Sequence, residues 1–182
     1  MIHGVVQVGP ARRRDALATL ALHREVLAEG SWFVTRPAED RVTLDQRERE
    51  IEALSAADNS WFLVARGPDA SVVGYLTANG GALDRTRHLS RLELVVGAPW
   101  RGQGIGRALL DTVIGLAERS GVVRKLSLAV LADNERALRL YRSAGFVEEG
   151  RRVGEYRESD GTLRDDLVLA RVVHPRGEVT AP

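Results

Sequence analysis

The sequence contains no cysteine. That excludes disulfides, cysteine-ligated zinc and any thiol nucleophile, so an acyl-enzyme through sulfur is out of reach and no metal site is expected. Long apolar runs are missing too. No stretch approaches the roughly 20 residues that a membrane span needs, and the opening segment MIHGVVQVGPARRRD has no apolar core of signal-peptide length. A cytoplasmic location is the expectation. An excess of either charge is absent: 26 basic against 25 acidic residues leave a net charge of +1, which gives no case for nucleic acid or a membrane surface as partner. Lysine is nearly absent. Lys125 is the only one, and the arginines are scattered from Arg12 to Arg176 rather than gathered into one anion-binding surface. The composition bias of a GC-rich genome accounts for that pattern.

What is present reads as one α/β domain over residues 1–173 with a polar tail, expected to be disordered, at 174–182. GVVQVG is a first strand. RRRDALATLALHREVLAEG is a helix with Leu17, Leu20, Ala21, Arg24 and Leu27 at helical spacing, ended by Gly30. After the loop SWFVTRPAEDR, Thr43 and Gln46 form a capping-box signature for a second helix whose inner face carries Ile51 and Leu54. SWFLVAR and SVVGYLTAN pair as a hairpin, and RLELVV follows as a strand with Glu93 alternating against Leu92 and Leu94. A glycine-rich segment then enters a third helix. The chain continues with the strand VRKLSLAVL, the helix DNERALRLYRSAG and two final strands, FVEEGRRVGEYR and TLRDDLVLARVV. No repeat, linker or second domain is visible.

The glycine segment, WRGQGIGRALL, carries the strongest chemical signal. Gly102, Gly104 and Gly106 occupy alternate positions at the mouth of a helix. Glycine is a poor helix former, but it tolerates positive φ and lets the backbone approach a ligand closely. A helix N-terminus adds unpaired N–H groups and a partial positive charge, which together suit a phosphate. The dinucleotide fingerprint fails because its third glycine would fall on Arg107, and no Gly-Lys-Ser/Thr follows to make a P-loop.

The pattern that fits is Arg/Gln-x-x-Gly-x-Gly/Ala, met by Arg101, Gly104 and Gly106. Here the chain resembles the GNAT superfamily of acetyl-CoA-dependent N-acetyltransferases. LELVVGAPWRGQGIGRALL is similar to that family's strand-turn-helix, and ADNERALRLYRSAGFVEEG to its second signature. The resemblance is specific over residues 92–150 and weak in the N-terminal third. It implies a mixed, mostly antiparallel sheet flanked by helices, with a bulge in VVGAP that splays this strand from KLSLAVL. It implies that Arg101, Gly102, Gln103, Gly104, Ile105, Gly106 and Arg107 hold the pyrophosphate of acetyl-CoA, that pantetheine lies in the gap, and that the amide of Val96 or its neighbour Val95 faces the thioester oxygen. Homodimers are common in the resembled family.

With no cysteine, and no motif joining His3, His23, His88 or His174 to a serine, direct attack of an amine on the thioester is the simplest chemistry. Glu93 is the candidate base, on the strand entering the loop. Tyr141 is, by the resemblance, the acid beside the thioester sulfur. Asn134 caps the last helix, contacts the cofactor, or does both. Trp32 and Phe33 are candidates for the acceptor pocket and Trp61 for the core, while Glu39, Asp40 and Asp165 are candidates to attract a cation. The expected activity is acetyl transfer to a primary amine of a small molecule, amino acid or peptide. The alternatives are a catalytically silent acyl-CoA sensor and an acetyltransferase acting on protein N-termini or lysines.

Overall fold

The computed structural model describes residues 6–174. The tail expected at 174–182 lies, apart from His174, outside the described residues. In chain order the elements are β1 (Gln7–Pro10), α1 (Ala16–Leu27), α2 (Leu44–Ala56), β2 (Trp61–Arg66), β3 (Val72–Gly80), β4 (Leu89–Val96), α3 (Ile105–Ser120), β5 (Lys125–Leu131), α4 (Glu135–Ser143), β6 (Val147–Arg157) and β7 (Leu163–Val172), with short 3-10 turns between some of them. The strands form one seven-stranded sheet in the order β1-β2-β3-β4-β5-β7-β6. Every neighbouring pair is antiparallel except β4 and β5. Parallel neighbours need a crossover connection, and α3 supplies it.

Local chemistry sets the element ends. At α2 the Gln46 N–H donates to Thr43 Oγ1 at 3.2 Å and the Thr43 N–H donates to Gln46 Oε1 at 2.8 Å, the expected reciprocal cap. Asn134 Oδ1 accepts from the Ala137 N–H at the start of α4. In β2 the side chains alternate faces: Leu63 and Ala65 join one core, Phe62 and Val64 the other. The first core lies under α3, with Leu109, Leu110 and Val113 against Leu76 and Leu126. The second lies under α1 and α2, with Ala16, Leu22, Val26 and Ile51 against Tyr75 and Val95.

The inner face of α1 differs from the sequence expectation. Leu17 is 65% exposed and Ala21 is exposed, while Ala16, Thr19, Leu20, Leu22, Val26 and Leu27 are buried. The helix packs against both the sheet and α2, so its buried stripe is wider than one spacing series and begins at Ala16.

The feature that makes a site is a broken ladder. β4 and β5 pair only through Leu89–Lys125, Ser90–Leu126 and Arg91–Ser127, although the strands run on to Val96 and Leu131. Beyond that rung β4 stays with β3 as far as Val96–Gly74, and β5 stays with β7 as far as Leu131–Asp166. The splay is as expected, but its cause is not. The β3–β4 register runs from Ser90 to Val96 without a shift, so divergence of two strands opens the wedge and no bulge in VVGAP is involved.

Leu109 is completely buried between α3 and the sheet. Leu109→Ala is expected to cost about 2–5 kcal/mol, read as a lower urea midpoint with an unchanged slope. A loss within the scatter of surface substitutions would contradict this placement of α3.

Candidate active site

The wedge between β4 and β5 continues into a cleft of about 1450 Å³ that reaches from the glycine loop to the segment joining α1 and α2. That exceeds the few hundred to roughly 1,000 Å³ of an ordinary small-molecule pocket, enough for two reactants side by side.

At one end stands the N-terminus of α3. Gly102 and Gly104 have φ of +78° and +83°, a conformation that strains any side-chain-bearing residue. The first helical bond runs from the Ala108 N–H to the Gly104 carbonyl at 2.9 Å. The N–H groups of residues 102–107 have no acceptor among the described residues, and all of these residues but Gln103 line the cleft, which leaves a row of free donors at its edge. Gly106 serves a different purpose. A Cβ there would come within 2.9 Å of Leu140 Cδ2, so a side chain at this position would make the end of Leu140 shift.

Two arginines selected from the sequence turn away from the row of donors. Arg101 Nε donates to the Val96 carbonyl at 2.9 Å, and its Nη atoms grip both oxygens of Glu29 at 2.7 and 2.6 Å. This fork-on-carboxylate pair ties the loop to the end of α1. Arg107 pairs with Asp111 and donates to the Ser143 carbonyl, so it offers the cleft its N–H rather than its guanidinium. The Gln103 side chain donates to the Pro99 carbonyl and does not line the cleft. Ile105 borders the cleft from the core. The cation the sequence did not single out is Arg136, whose Nη2 lies 3.6 Å from where a Cβ of Gly102 would stand.

In the middle lies the unpaired edge of β4. The Gly97 N–H donates to the Val73 carbonyl, so alternate residues, Val96 and Leu94, turn their backbone groups toward the gap. Val95 packs its side chain under α1 and turns its backbone to β3; of the two amides considered, that of Val96 faces the gap. From across the cleft comes Tyr141, 8% exposed and edge-on to Phe146 at 6.0 Å. Its hydroxyl makes no hydrogen bond among the described residues. Burial, reinforced by the charge of Glu93, raises its pKa well above the ordinary phenol value. Asn134 borders the cleft with Oδ1 committed to the helix cap and its amide NH2 free.

At the other end Glu93, half exposed, is part of a hydrogen-bonded chain invisible in the sequence. The Tyr75 hydroxyl donates to Glu93 Oε1 at 3.1 Å, and His23 Nδ1 lies 2.7 Å from the same hydroxyl. A phenol has one proton. If Tyr75 gives it to the carboxylate, His23 must be the donor to Tyr75, which assigns the proton of a neutral imidazole to Nδ1. Arg47 of α2 closes the back of this chain. It is buried, stacks over the rings of Tyr75 and Phe62, and pairs with Glu50 at 3.0 Å. Burial raises the pKa of Tyr75 far above the ordinary range and also raises that of Glu50. Burial lowers that of His23; Arg47 and Arg24 act in the same direction against Glu93 and Asp40.

The remaining expectations divide. Trp32 and Phe33 line the cleft, and Trp61 packs against the core. Asp40 is paired with Arg24 and accepts from the Val42 N–H, Asp165 is paired with Arg151 and accepts from the Gly154 N–H, and exposed Glu39 accepts, among the described residues, only from the Arg36 N–H; none of the three lines the cleft. No cluster of three or more potential metal ligands occurs among the described residues, and no helix there is long and apolar enough to cross a membrane.

A family model described as "Acetyltransferase (GNAT) family" matches residues 16–146. The chain belongs to that family. It is 30% identical over 105 residues to the L-amino acid N-acetyltransferase AaaT of Escherichia coli (strain K12), covering 57% of this chain and 64% of AaaT. It is 36% identical over 141 residues to the N-alpha-acetyltransferase RimI of Mycobacterium tuberculosis, covering 66% of this chain and 85% of RimI. The chain therefore spans less than two thirds of the first of these GNAT relatives. A GNAT superfamily phosphinothricin acetyltransferase from Sinorhizobium meliloti, solved in complex with AcCoA, shares the fold with a TM-score of 0.82 at 20% identity, over 97% of this chain and 92% of that one.

The depressed pKa of His23 has a consequence for stability. The unfolded histidine titrates near 6.5, above the folded one, so between the two the unfolded chain binds more protons and stability rises with pH. Acidification from pH 7.5 to 5.5 is expected to lower the urea midpoint, and His23→Asn, which keeps a donor near Nδ1, is expected to shrink that drop. Glu50 and Asp166 also titrate abnormally but are shared by both proteins. An equal drop in the two would contradict the assignment of a buried neutral imidazole.

Proposed function

We propose that this chain moves an acetyl group from acetyl-CoA directly onto a primary amine. One observation carries the reading: a single cleft holds, in order, a row of free backbone donors at a helix N-terminus, an unpaired strand edge, and a half-exposed carboxylate facing a buried phenol. The order matches what the two reactants require. Phosphates sit on the donors of residues 102–107 with Arg136 beside them, the extended arm of the donor lies along the β4 edge, and the amine meets Glu93.

Bound acetyl-CoA supplies an electrophilic thioester carbonyl; the chain supplies the rest. An alkylammonium of pKa about 10.4 costs roughly 4–5 kcal/mol to deprotonate at pH 7, so a base is needed. Glu93 takes that proton, and Tyr75 and His23 hold its carboxylate toward the cleft. The Val96 N–H faces the oxygen on which negative charge develops as the C–N bond forms. As the C–S bond breaks, Tyr141 donates a hydrogen bond to the leaving sulfur. Its raised pKa keeps it protonated throughout the neutral range, which suits a standing donor better than an acid that gives its proton away outright.

AaaT is named for L-amino acids and RimI for N-alpha-acetylation, and both names are consistent with a primary amine as acceptor. The reading is tested first by calorimetric titration with acetyl-CoA, using NAD and ATP as controls. Selective binding of acetyl-CoA is expected, and Gly104→Val is expected to abolish it by displacing the loop. Glu93→Gln is expected to lower kcat by roughly 100-fold or more, and Tyr141→Phe by roughly tenfold or more, with acetyl-CoA affinity unchanged in both. Binding without turnover on any amine would support a silent sensor instead, and preference for NAD or ATP would overturn the cofactor reading.

A further inference from the structure

The arginines around the cleft are nearly all spoken for. Arg101 holds Glu29, Arg107 holds Asp111, Arg152 holds Asp166 and Glu155, Arg164 holds Asp133 and Glu158, and Arg139 lies 3.8 Å from Glu135. Two lining guanidiniums have no hydrogen-bond or ion-pair partner among the described residues: Arg136 and Arg91. Arg136 stands by Gly102, at the phosphate end. Arg91 stands on β4, two residues from Glu93.

That spacing has a direct meaning on a strand. Residues i and i+2 point to the same face and lie about 7 Å apart. Arg91 and Glu93 therefore present opposite charges side by side on the face of the sheet where Trp32 and Phe33 border the cleft. They do not neutralise each other: Glu93 is turned toward Tyr75 and His23, and no ion pair joins it to Arg91. Both are exposed, so both charges are available to a ligand. Arg152, on the opposite wall, is already neutralised by Asp166 and Glu155 and does not compete.

We propose that Arg91 is a carboxylate subsite and that the acceptor is a free α-amino acid, its amine at Glu93 and its carboxylate on the Arg91 guanidinium. This rests on the acetyltransferase reading above and narrows it to one class of amine. Arg91 occupies the last rung that β4 shares with β5, at the apex of the wedge, and Glu93 lies just inside the opening. A zwitterion seated across them turns its nitrogen toward the gap, where the thioester carbonyl must lie. An arginine fork matches a carboxylate with two parallel hydrogen bonds, which fixes orientation as well as affinity. In the reaction the ammonium nitrogen gives one proton to Glu93, the new C–N bond replaces the C–S bond, and the second proton the nitrogen sheds passes to the departing sulfur, which leaves as the thiol of coenzyme A. The product keeps its carboxylate but has an amide where the amine was. It loses its attraction to Glu93, which favours release. A peptide N-terminus has no carboxylate on the adjacent carbon and cannot use Arg91 in this way.

The test pairs substrates that differ only at that carboxylate: a panel of L-amino acids, the corresponding amino-acid amides, and dipeptides with the same first residue, each with acetyl-CoA. Wild type, Arg91→Gln and Arg91→Lys are compared. The free acids are expected to be the preferred acceptors. Arg91→Gln is expected to lower their kcat/KM by roughly 10- to 100-fold, chiefly through KM, while turnover of the amides changes little. Arg91→Lys is expected to recover part of the loss. Acetyl-CoA affinity and the thermal midpoint are expected to stay at wild-type values, because Arg91 is exposed and unpaired. Equal effects on acids and amides, or a wild type that prefers amides or dipeptides, would overturn the carboxylate subsite while leaving acetyl transfer intact. Failure of the wild type to bind acetyl-CoA or to acetylate any amine overturns the acetyltransferase reading itself.

Discussion

The structure depends on one interrupted ladder. Between Leu92 and Val96 strand β4 keeps its bonds to β3 and loses those to β5. Backbone N–H and C=O groups cannot be left dry and unpaired without a cost comparable to a lost hydrogen bond. The fold meets this cost in part with its own side chains. The Val96 carbonyl, turned toward the gap, accepts from Arg101, whose other nitrogens are fixed by Glu29. The same arginine thus satisfies the strand edge, anchors the glycine loop and fastens the end of α1. The edge groups that remain are open to a ligand, and their place inside a cleft protects them from pairing with another chain, the usual hazard of an exposed strand.

The acceptor side shows the opposite strategy, polar groups buried behind the reactive one. Tyr75 is fully buried with a hydroxyl bonded to both His23 and Glu93, and Arg47 stacks on its ring from α2. The Arg47 Nε is buried without a partner, and such an orphan donor costs about 1–3 kcal/mol. In return Arg47 places a positive charge behind the chain, which opposes protonation of His23. With the Tyr75 proton given to Glu93, a neutral His23 carries its own proton on Nδ1 and donates it to Tyr75, so the hydrogen bonds run in one direction as far as the carboxylate. The second helix, known from the sequence only by its cap and by Ile51 and Leu54, therefore contributes the most deeply buried cation of the site.

How much of this was legible in the sequence follows from how local each interaction is. The order of strands and helices was readable because hydrophobic periodicity, the Thr43–Gln46 box and the glycine stops act over a few residues. The donor row at α3 was readable for the same reason. The His23–Tyr75–Glu93 chain was not, because its members lie 52 and 18 residues apart and meet only when α1 packs on the sheet. Arg101 was given to phosphate because its partner Glu29 is 72 residues away. Arg107 is a different case. Asp111 stands four residues on, and an i,i+4 pair on a helix is visible in the sequence; the signal was there and the glycine motif outweighed it. Arg91 carried no signal of its own, since an arginine on a strand means little until its neighbours prove to be unpaired or paired elsewhere.

The third glycine sits between the two walls of the cleft. Gly102 and Gly104 take a backbone conformation that other residues resist, but Gly106 is helical and could carry a side chain if space allowed. Space is tight, because the end of the Leu140 side chain of α4 lies 2.9 Å from where a Cβ would stand and would have to move. The absence of that Cβ leaves room for the Leu140 side chain beside α3. Tyr141 is the next residue along α4 and borders the same cleft. A larger residue at 106 would meet the side-chain ends of Leu140 on α4 and Leu94 on β4, the two elements on either side of the gap. At 106 a glycine therefore stands where the helix itself gains nothing from one, beside side chains of the two elements that border the cleft.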